Sequence, residues 1–169
     1  MRVMVVYESI WGNTEQIARE IAAGIGGETV EVVDAASAPP VVDSDVDLLV
    51  VGGPTHAFSM TSASTRESAR QQGATRIPAS GIREWIERLS SPGKAIPVAT
   101  FDTRTVSPRL PGSAAKKAMK RLVARGLEPA AKPETFGVHG YGGPLDDGEE
   151  ARATEWGASL TAAVAGRSS

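Results

Sequence analysis

Short runs of apolar residues alternate along this chain with segments in which apolar residues recur every three or four positions. The short runs are rich in valine and bounded by Gly, Pro or Asp, which is typical of buried parallel strands. They predict five strands: Arg2–Glu8, Glu28–Val33, Leu48–Gly53, Ala95–Phe101 and Glu134–Gly140. The helical spacing predicts four helices: Asn13–Ile25, Gly81–Leu89, Ser113–Arg125 and Glu149–Ala165.

Residues that start and stop helices flank several of these segments. Ser80 and Ser113 stand at the beginnings of two helices, where a hydroxyl oxygen can accept a hydrogen bond from a free N–H group. Gly26 and Gly126 follow two others, as expected of residues that end a helix. Strands that alternate with helices in this way predict an α/β fold, in which an open parallel sheet carries helices on both faces.

Two polar segments interrupt the alternation. Residues 60–79 contain few apolar side chains, and within them a short helix is predicted at Thr65–Gln72, ended by Gly73. Residues 102–112 form a long predicted loop with two prolines. Long loops inside a compact domain are often functional, so both segments are candidates for a binding site.

Length and composition indicate one domain over residues 1–169, with residues 166–169 as a frayed tail. Hydrophobic residues make up 41% of the chain, which is ample for one core. No apolar run is long enough to predict a membrane span, and the N-terminus lacks the pattern of a signal peptide. The chain has no cysteine, which excludes disulfides and thiolate metal sites and favours a cytoplasmic location.

No catalytic or metal-binding constellation is evident in the sequence. His56 and His139 are the only histidines and are far apart, so no helical histidine pair indicates zinc. No Ser-His-Asp spacing indicates a nucleophile, and no pair of residues indicates the acid–base chemistry of hydrolysis. No catalytic residue and no metal ligand are therefore predicted.

The charge of the chain is distributed unevenly. The formal net charge is −2, but residues 66–132 carry +9 and the remainder carries −11. Such a separation can steer a charged partner or ligand, and it can equally reflect solvated helix faces. Nucleic-acid binding is not predicted, because the isoelectric point is acidic, about 5.7, and no aromatic residues interleave with the basic ones.

The turn between the first strand and the first helix is the strongest functional signal. It is occupied by six residues: Ser9, Ile10, Trp11, Gly12, Asn13 and Thr14. The N–H groups of a helix N-terminus and its dipole favour an anion, and the side chains of Ser9, Asn13 and Thr14 add donors. The loop contains no lysine and matches neither common nucleotide-binding glycine motif. This combination indicates a single phosphomonoester, such as that of FMN.

This segment resembles the N-terminal signature of flavodoxins. The matching residues are Val5, Val6, Tyr7, Ser9, Gly12, Thr14, Ala18 and Ile21. The resemblance implies a doubly wound, flavodoxin-like sheet of five parallel strands in the order 2-1-3-4-5. It also implies FMN as cofactor, bound at the carboxyl ends of the strands, and a redox partner protein, either a reductase or an acceptor enzyme.

The residues after the third predicted strand resemble the second FMN loop of the family. Gly52 and Gly53 are followed by Pro54, Thr55, His56, Ala57 and Phe58. Glycine lets the backbone approach a planar ring closely, and Phe58 or His56 can lie against the ring. By position alone, Phe101, Asp102, Thr103 and Arg104 form the third flavin loop. This loop lacks the stacking tyrosine and the acidic surroundings of well-known electron-transfer flavodoxins.

Three functions are compatible with these residues. The leading hypothesis is an FMN-binding protein that carries electrons between redox enzymes. The second is an FMN-dependent oxidoreductase that uses NAD(P)H to reduce a quinone, for which the polar segment 60–79 and the basic middle of the chain would form a pocket. The third is a flavin-free binding or signalling domain. A phospho-accepting receiver domain is disfavoured, because the third strand ends in Gly52-Gly53 where an aspartate is needed. The roles of residues 60–79 and of the glycine-rich loop after the fifth strand stay open.

Overall fold

Strands and helices alternate in the computed structural model, which describes residues 1–27 and 29–167. The strands are β1 (Arg2–Tyr7), β2 (Thr29–Asp34), β3 (Leu48–Pro54), β4 (Pro97–Arg104), β5 (Glu128–Pro129) and β6 (Glu134–Gly137). The helices are α1 (Asn13–Ile25), α2 (Ala63–Gln71), α3 (Ile82–Arg88), α4 (Ala114–Ala124) and α5 (Glu149–Arg167). Within these described residues, no helix is both long and apolar enough to cross a membrane.

The strands form one parallel sheet. Its order is β2-β1-β3-β4-β5, and β6 also pairs with β4. β5 pairs with the start of β4 at Pro97 and Val98, whereas β6 pairs with its end, from Phe101 to Arg104. The fifth strand of the predicted order is therefore divided into two pieces that lie along β4 in succession. The predicted fold class and strand order are confirmed.

Each face of the sheet is covered by its own set of helices, because successive side chains of a strand point to opposite faces. In β1, Met4 and Val6 belong to the core that also contains the buried residues of α3 and α4. Val3 and Val5 belong to the core formed with α1 and α5. The two cores place the N-termini of α1, α4 and α5 at the edge where the parallel strands end.

Several predicted boundaries are corrected by the structure. β4 ends at Arg104 and not at Phe101, so all four residues of the predicted third loop belong to a strand. The loop that follows β4, called the third loop below, comprises residues 105–112. Ser80 does not cap α3, because the N-cap residue is Gly81 and the Ser80 hydroxyl instead accepts a hydrogen bond from Arg88.

Of the other boundary predictions, one agrees with the structure, one is corrected, and two fall partly outside the described residues. Ser113 caps α4 as predicted, by accepting a hydrogen bond from the N–H group of Lys116. The predicted end of the last helix at Ala165 is corrected, because Gly166 and Arg167, predicted as part of a frayed tail, continue α5. Glu28, predicted to start the second strand, and the last two residues of the predicted tail lie outside the described residues.

Phe101 lies in the core beneath Gly52, which is its partner in the neighbouring strand. Its ring is completely buried and meets Phe136 and Trp156 edge to face, with centroids 6.3 and 6.4 Å away. A Cβ atom on Gly52 would lie 2.1 Å from Cζ of Phe101. The glycine is therefore required by close packing of a ring against the backbone of β3.

Replacing Gly52 with Ala should lower the free energy of unfolding by about 1–3 kcal/mol, because the aromatic cluster must shift to admit the methyl group. Urea unfolding followed by far-ultraviolet circular dichroism measures this change. Gly93→Ala is the matched control, since a Cβ atom on Gly93 meets no atom within 4 Å. Equal stability of the two variants would contradict the packing argument.

Candidate functional site

The loops after β1, β3 and β4 meet at one edge of the sheet and enclose a cavity of about 490 Å³. Most of the residues predicted to bind the cofactor line it: Ile10, Trp11, Asn13, Thr14, Pro54, Thr55, His56, Ala57, Phe58, Thr103 and Arg104. Ser9 and Gly12 line a neighbouring cavity of about 360 Å³, which shares Ile10 and Trp11 as a wall. Phe101 and Asp102 line neither cavity.

The turn into α1 is built to leave donors free. Gly12 is the N-cap residue and has a φ of 95°, a left-handed conformation that glycine adopts without strain. Its own N–H group donates to the Ser9 hydroxyl over 3.1 Å, but no side chain caps the helix. The N–H groups of the first turn therefore remain available to an anion, and the helix dipole favours it.

A buried hydroxyl pair connects this turn to the end of β4. The Oγ1 atoms of Thr14 and Thr103 are 2.7 Å apart, and both residues are at least 96% buried. Because β1 and β4 lie on either side of β3, this contact crosses the strand that carries the second loop. It fixes the first helical turn relative to the cavity wall.

The second loop closes with a tight turn at His56–Ser59. The backbone N–H groups of His56 and Ser59 each donate to the other residue's carbonyl, over 2.9 and 3.0 Å. The two central residues, Ala57 and Phe58, have φ values of 49° and 68°, as turns of the primed type require. Neither residue is glycine, so the turn stores backbone strain at the cavity. The Phe58 side chain is 52% exposed beside it.

The His56 imidazole is partly buried in the same loop. Burial lowers the pKa of His56 below its ordinary value, because desolvation disfavours the charged ring. The imidazole is therefore neutral at pH 7, and the cavity gains no positive charge from it.

Asp102, predicted to contact a ligand, is instead a structural anchor. It is completely buried, and its Oδ2 atom accepts hydrogen bonds from the Ser113 hydroxyl, the Ala115 N–H group and the Thr55 hydroxyl. The Thr55 hydroxyl in turn accepts from the N–H group of Ala114 over 2.9 Å. One carboxylate thus joins β4, the N-terminus of α4 and the second loop.

Arg104 lines the cavity, but its guanidinium group is hydrogen-bonded to backbone carbonyl groups. Its two terminal nitrogens donate to the carbonyl oxygens of Leu110 and Gly112, at the far end of the loop 105–112. Gly112 has a φ of 84°, and a Cβ atom there would lie 2.2 Å from the carbonyl oxygen of Phe58. Arg104 therefore folds the third loop back against the turn of the second.

No protein-family model matches the chain, and no curated protein matches it by sequence. Solved structures do match. An archaeal flavodoxin superposes with a TM-score of 0.67 at 16% identity, covering 98% of this chain and 99% of that one. Oxidised flavodoxin 1 from Bacillus cereus gives 0.68 at 16% identity, with 96% and 98% covered. The chain has the flavodoxin fold.

A third neighbour, the two-electron reduced flavodoxin of Megasphaera elsdenii, gives a TM-score of 0.58 at 19% identity, covering 95% of this chain and 98% of that one. At these identities the likeness establishes the fold. In this flavodoxin fold the cavity lies at the point where the strand order reverses, next to β1 and β3, which is where doubly wound sheets bind ligands.

Several cavity residues were not predicted as site residues. α2 contributes Thr65, Ser68 and Ala69, its C-cap residue Gln72 adds a fourth, and the loop after β6 contributes Gly140 and Tyr141. The third loop contributes Thr105, Pro108 and Leu110. The polar segment 60–79 and the glycine-rich loop were recognisable as interruptions of the pattern. Their convergence on one cavity depends on tertiary packing, which local sequence does not report.

A buried polar cluster lies next to the turn Ser9–Thr14. Glu8, the residue before Ser9, is completely buried, and its carboxylate accepts from the Thr61 hydroxyl and from the N–H group of Ile82 over 3.0 Å. It thereby supplies the N-terminal cap that Gly81 cannot. Arg66 donates to the Thr61 hydroxyl over 2.9 Å and pairs with Glu84.

Burial raises the pKa of Glu8 above its ordinary value of 4.5, against the opposing effect of its hydrogen bonds. A raised folded-state pKa means that the native protein holds this proton after the unfolded chain has lost it. Stability from this group is therefore present below pH 4.5 and declines as pH rises through the folded-state pKa.

Glu8→Gln should remove this decline, because the amide cannot ionise. The free energy of unfolding of the variant, relative to the natural protein, should increase steadily as pH rises from 4.5. Urea unfolding at several pH values between about 4.5 and about 8 measures the difference. A difference that is constant with pH would show that Glu8 ionises alike in both states.

Proposed function

We propose that this protein binds FMN in the cavity between the three loops and carries electrons between redox proteins. The observation that carries the proposal is the position of the uncapped N-terminus of α1. It opens beside a cavity of about 490 Å³ at the edge of a flavodoxin fold. The similar solved structures include an oxidised and a two-electron reduced flavodoxin, which supports a redox function.

The residues of the site suit the two ends of FMN. The loop Ser9–Thr14 would hold the phosphate with uncharged donors and the helix dipole. The turn His56–Ser59, Thr103 and Tyr141 would border the ring. His56 is neutral at pH 7, so it would place no positive charge beside the ring.

Bound FMN would supply the exchange of one or two electrons. The chain's own contribution would be to bind and orient the ring and to exclude water from one side of it. Phe58 and Tyr141 would leave the outer part of the site accessible, with exposed fractions of 52% and 69%. Accessibility of this kind suits transfer to a partner at the surface.

The proposal is tested by adding FMN to the purified protein and recording its visible absorption. We expect perturbed flavin bands, quenched flavin fluorescence and one FMN per chain. A preparation that stays colourless after incubation with FMN and desalting would contradict the proposal. Riboflavin serves as the comparison ligand, because it lacks the phosphate that the α1 turn would bind.

A second candidate is an FMN-dependent reductase of a quinone or another small acceptor. It is favoured by one observation, that α2 and its C-cap residue contribute four residues to the cavity and so add a wall beside the site. Steady-state oxidation of NADPH by the FMN-loaded protein with a quinone distinguishes the two functions. A carrier is expected to be almost inactive alone, whereas a reductase turns over.

A further inference from the structure

Three large apolar side chains are exposed around the mouth of the cavity. Phe58, Leu110 and Tyr141 are 52%, 52% and 69% exposed, and all three line the cavity. They come from three different loops. Gly112 of the third loop packs against Phe58, and the Thr105 hydroxyl donates to the carbonyl oxygen of Gly140, next to Tyr141. Exposed apolar side chains that converge in this way mark an interaction surface.

Basic residues border this apolar centre on one side, and we refer to Arg109, Lys116 and Lys117 as the basic rim. Arg109 lies between two cavity-lining residues, Pro108 and Leu110. The lysines lie in the first turn of α4. At the start of this helix, the N–H group of Ala114 donates a hydrogen bond to the Thr55 hydroxyl of the second loop. All three are exposed, and within residues 1–27 and 29–167 no acidic side chain forms an ion pair with them.

The charge of the mouth changes sign across the sheet. Asp147 and Glu150 are exposed beside the start of α5, and α5 packs on the face opposite to α4. The basic rim therefore occupies the α4 side, and the carboxylates occupy the α5 side. A partner that covers the apolar centre would meet the positive charge of the basic rim on the α4 side and negative charge on the α5 side, which orients it.

We propose that the mouth of the cavity docks an acidic redox protein, whose carboxylates contact the basic rim and whose apolar surface covers Phe58, Leu110 and Tyr141. The class of partner rests on the proposed electron-carrier function. An apolar centre with charged residues at its border is the usual composition of a protein–protein interface. The exposed centre favours a protein surface over a free nucleotide, which would need only the cavity and the cations.

The probe is a plant-type [2Fe–2S] ferredoxin with a large negative net charge, titrated into the ¹⁵N-labelled protein with and without FMN. We expect amide signals to change at residues 56–59, 108–117 and 140–142. Because the attraction is electrostatic, the affinity should fall at least about 10-fold between about 0.02 M and about 0.3 M salt. Cytochrome c, a basic redox protein, should bind more weakly than ferredoxin at low salt.

Charge reversal at two positions distinguishes a local effect on the docking surface from an effect of the protein's net charge. Lys117→Glu should weaken ferredoxin binding several-fold, and reversal of the whole basic rim should weaken it at least about 10-fold. Lys94→Glu makes the same change in net charge at the opposite edge of the sheet, just before β4, and should have little effect. Leu110→Ser tests the apolar centre and should weaken binding while keeping the salt dependence.

Three outcomes would overturn the proposal: equal effects of Lys117→Glu and Lys94→Glu, tighter binding of cytochrome c, or amide changes at the basic rim with NADPH and not with ferredoxin. The last would assign the cations to a nucleotide. Docking is measured in the FMN-free protein as well, so failure to bind FMN would remove the proposed function without deciding the interaction. Each result therefore bears on one claim.

Discussion

Asn13→Asp should weaken FMN binding about 100-fold while slightly stabilising the FMN-free protein. The new carboxylate lies at the first position of α1, where the phosphate would bind. Two unit charges about 5 Å apart repel by about 3 kcal/mol at an effective dielectric constant of about 20, which corresponds to roughly 100-fold in affinity. The same carboxylate interacts favourably with the helix dipole, by about 0.3–1 kcal/mol.

Fluorescence titration with FMN measures the loss of affinity, and urea unfolding of the FMN-free protein measures the gain in stability. Riboflavin is the matched control ligand, because the repulsion requires a phosphate. Its affinity should stay within about twofold of the natural protein's value. Equal losses for FMN and riboflavin would indicate a distorted loop, and no loss for FMN would place the phosphate elsewhere.

Asp102→Ala should lower the free energy of unfolding by about 3–5 kcal/mol. The substitution removes the acceptor of three hydrogen bonds in a fully buried position and leaves their donors without partners. Since those donors belong to the second loop and to α4, the cavity wall should loosen as well. Affinity for FMN should therefore fall although Asp102 lines no part of the cavity.

The matched control is Thr100→Val, two residues earlier in β4. Thr100 is equally buried and donates one hydrogen bond to the carbonyl oxygen of Ala115, so its loss should cost about 1–2 kcal/mol. Urea unfolding of both variants gives the comparison. Similar losses of stability in the two variants would mean that Asp102 is not the residue that holds β4, α4 and the second loop together.

Two of the loops that line the cavity could be located from the sequence, because each directly follows a predicted strand. The turn Ser9–Thr14 follows a strand and starts a helix, and both features are visible in the periodicity and in Gly12. The second loop is recognisable for the same reason, since Gly52 and Pro54 punctuate the end of an apolar run. The strand order was predicted from the resemblance of these two loops to those of flavodoxins, because the handedness of strand–helix–strand connections alone allows more than one order.

The third loop was predicted less well, because position in the chain does not reveal which way a polar side chain points. Asp102 and Arg104 look alike as loop residues after a strand. In the structure, Asp102 points to the start of α4, and Arg104 binds the backbone of residues 110–112. Phe101 was assigned to the ligand, whereas the alternation of β4 directs it into the core against Gly52.

The sequence by itself determined the class of fold and the turn that starts α1, and its resemblance to flavodoxins supplied the order of the strands. The class of fold and this turn depend on periodicity and on residues such as Gly12, whose conformational freedom acts locally. Only the tertiary structure decided that Glu8 caps α3 from 74 positions away, and that α2 and Tyr141 complete the cavity. Such contacts join segments distant in the chain, and they form where helices and loops pack against one edge of the sheet.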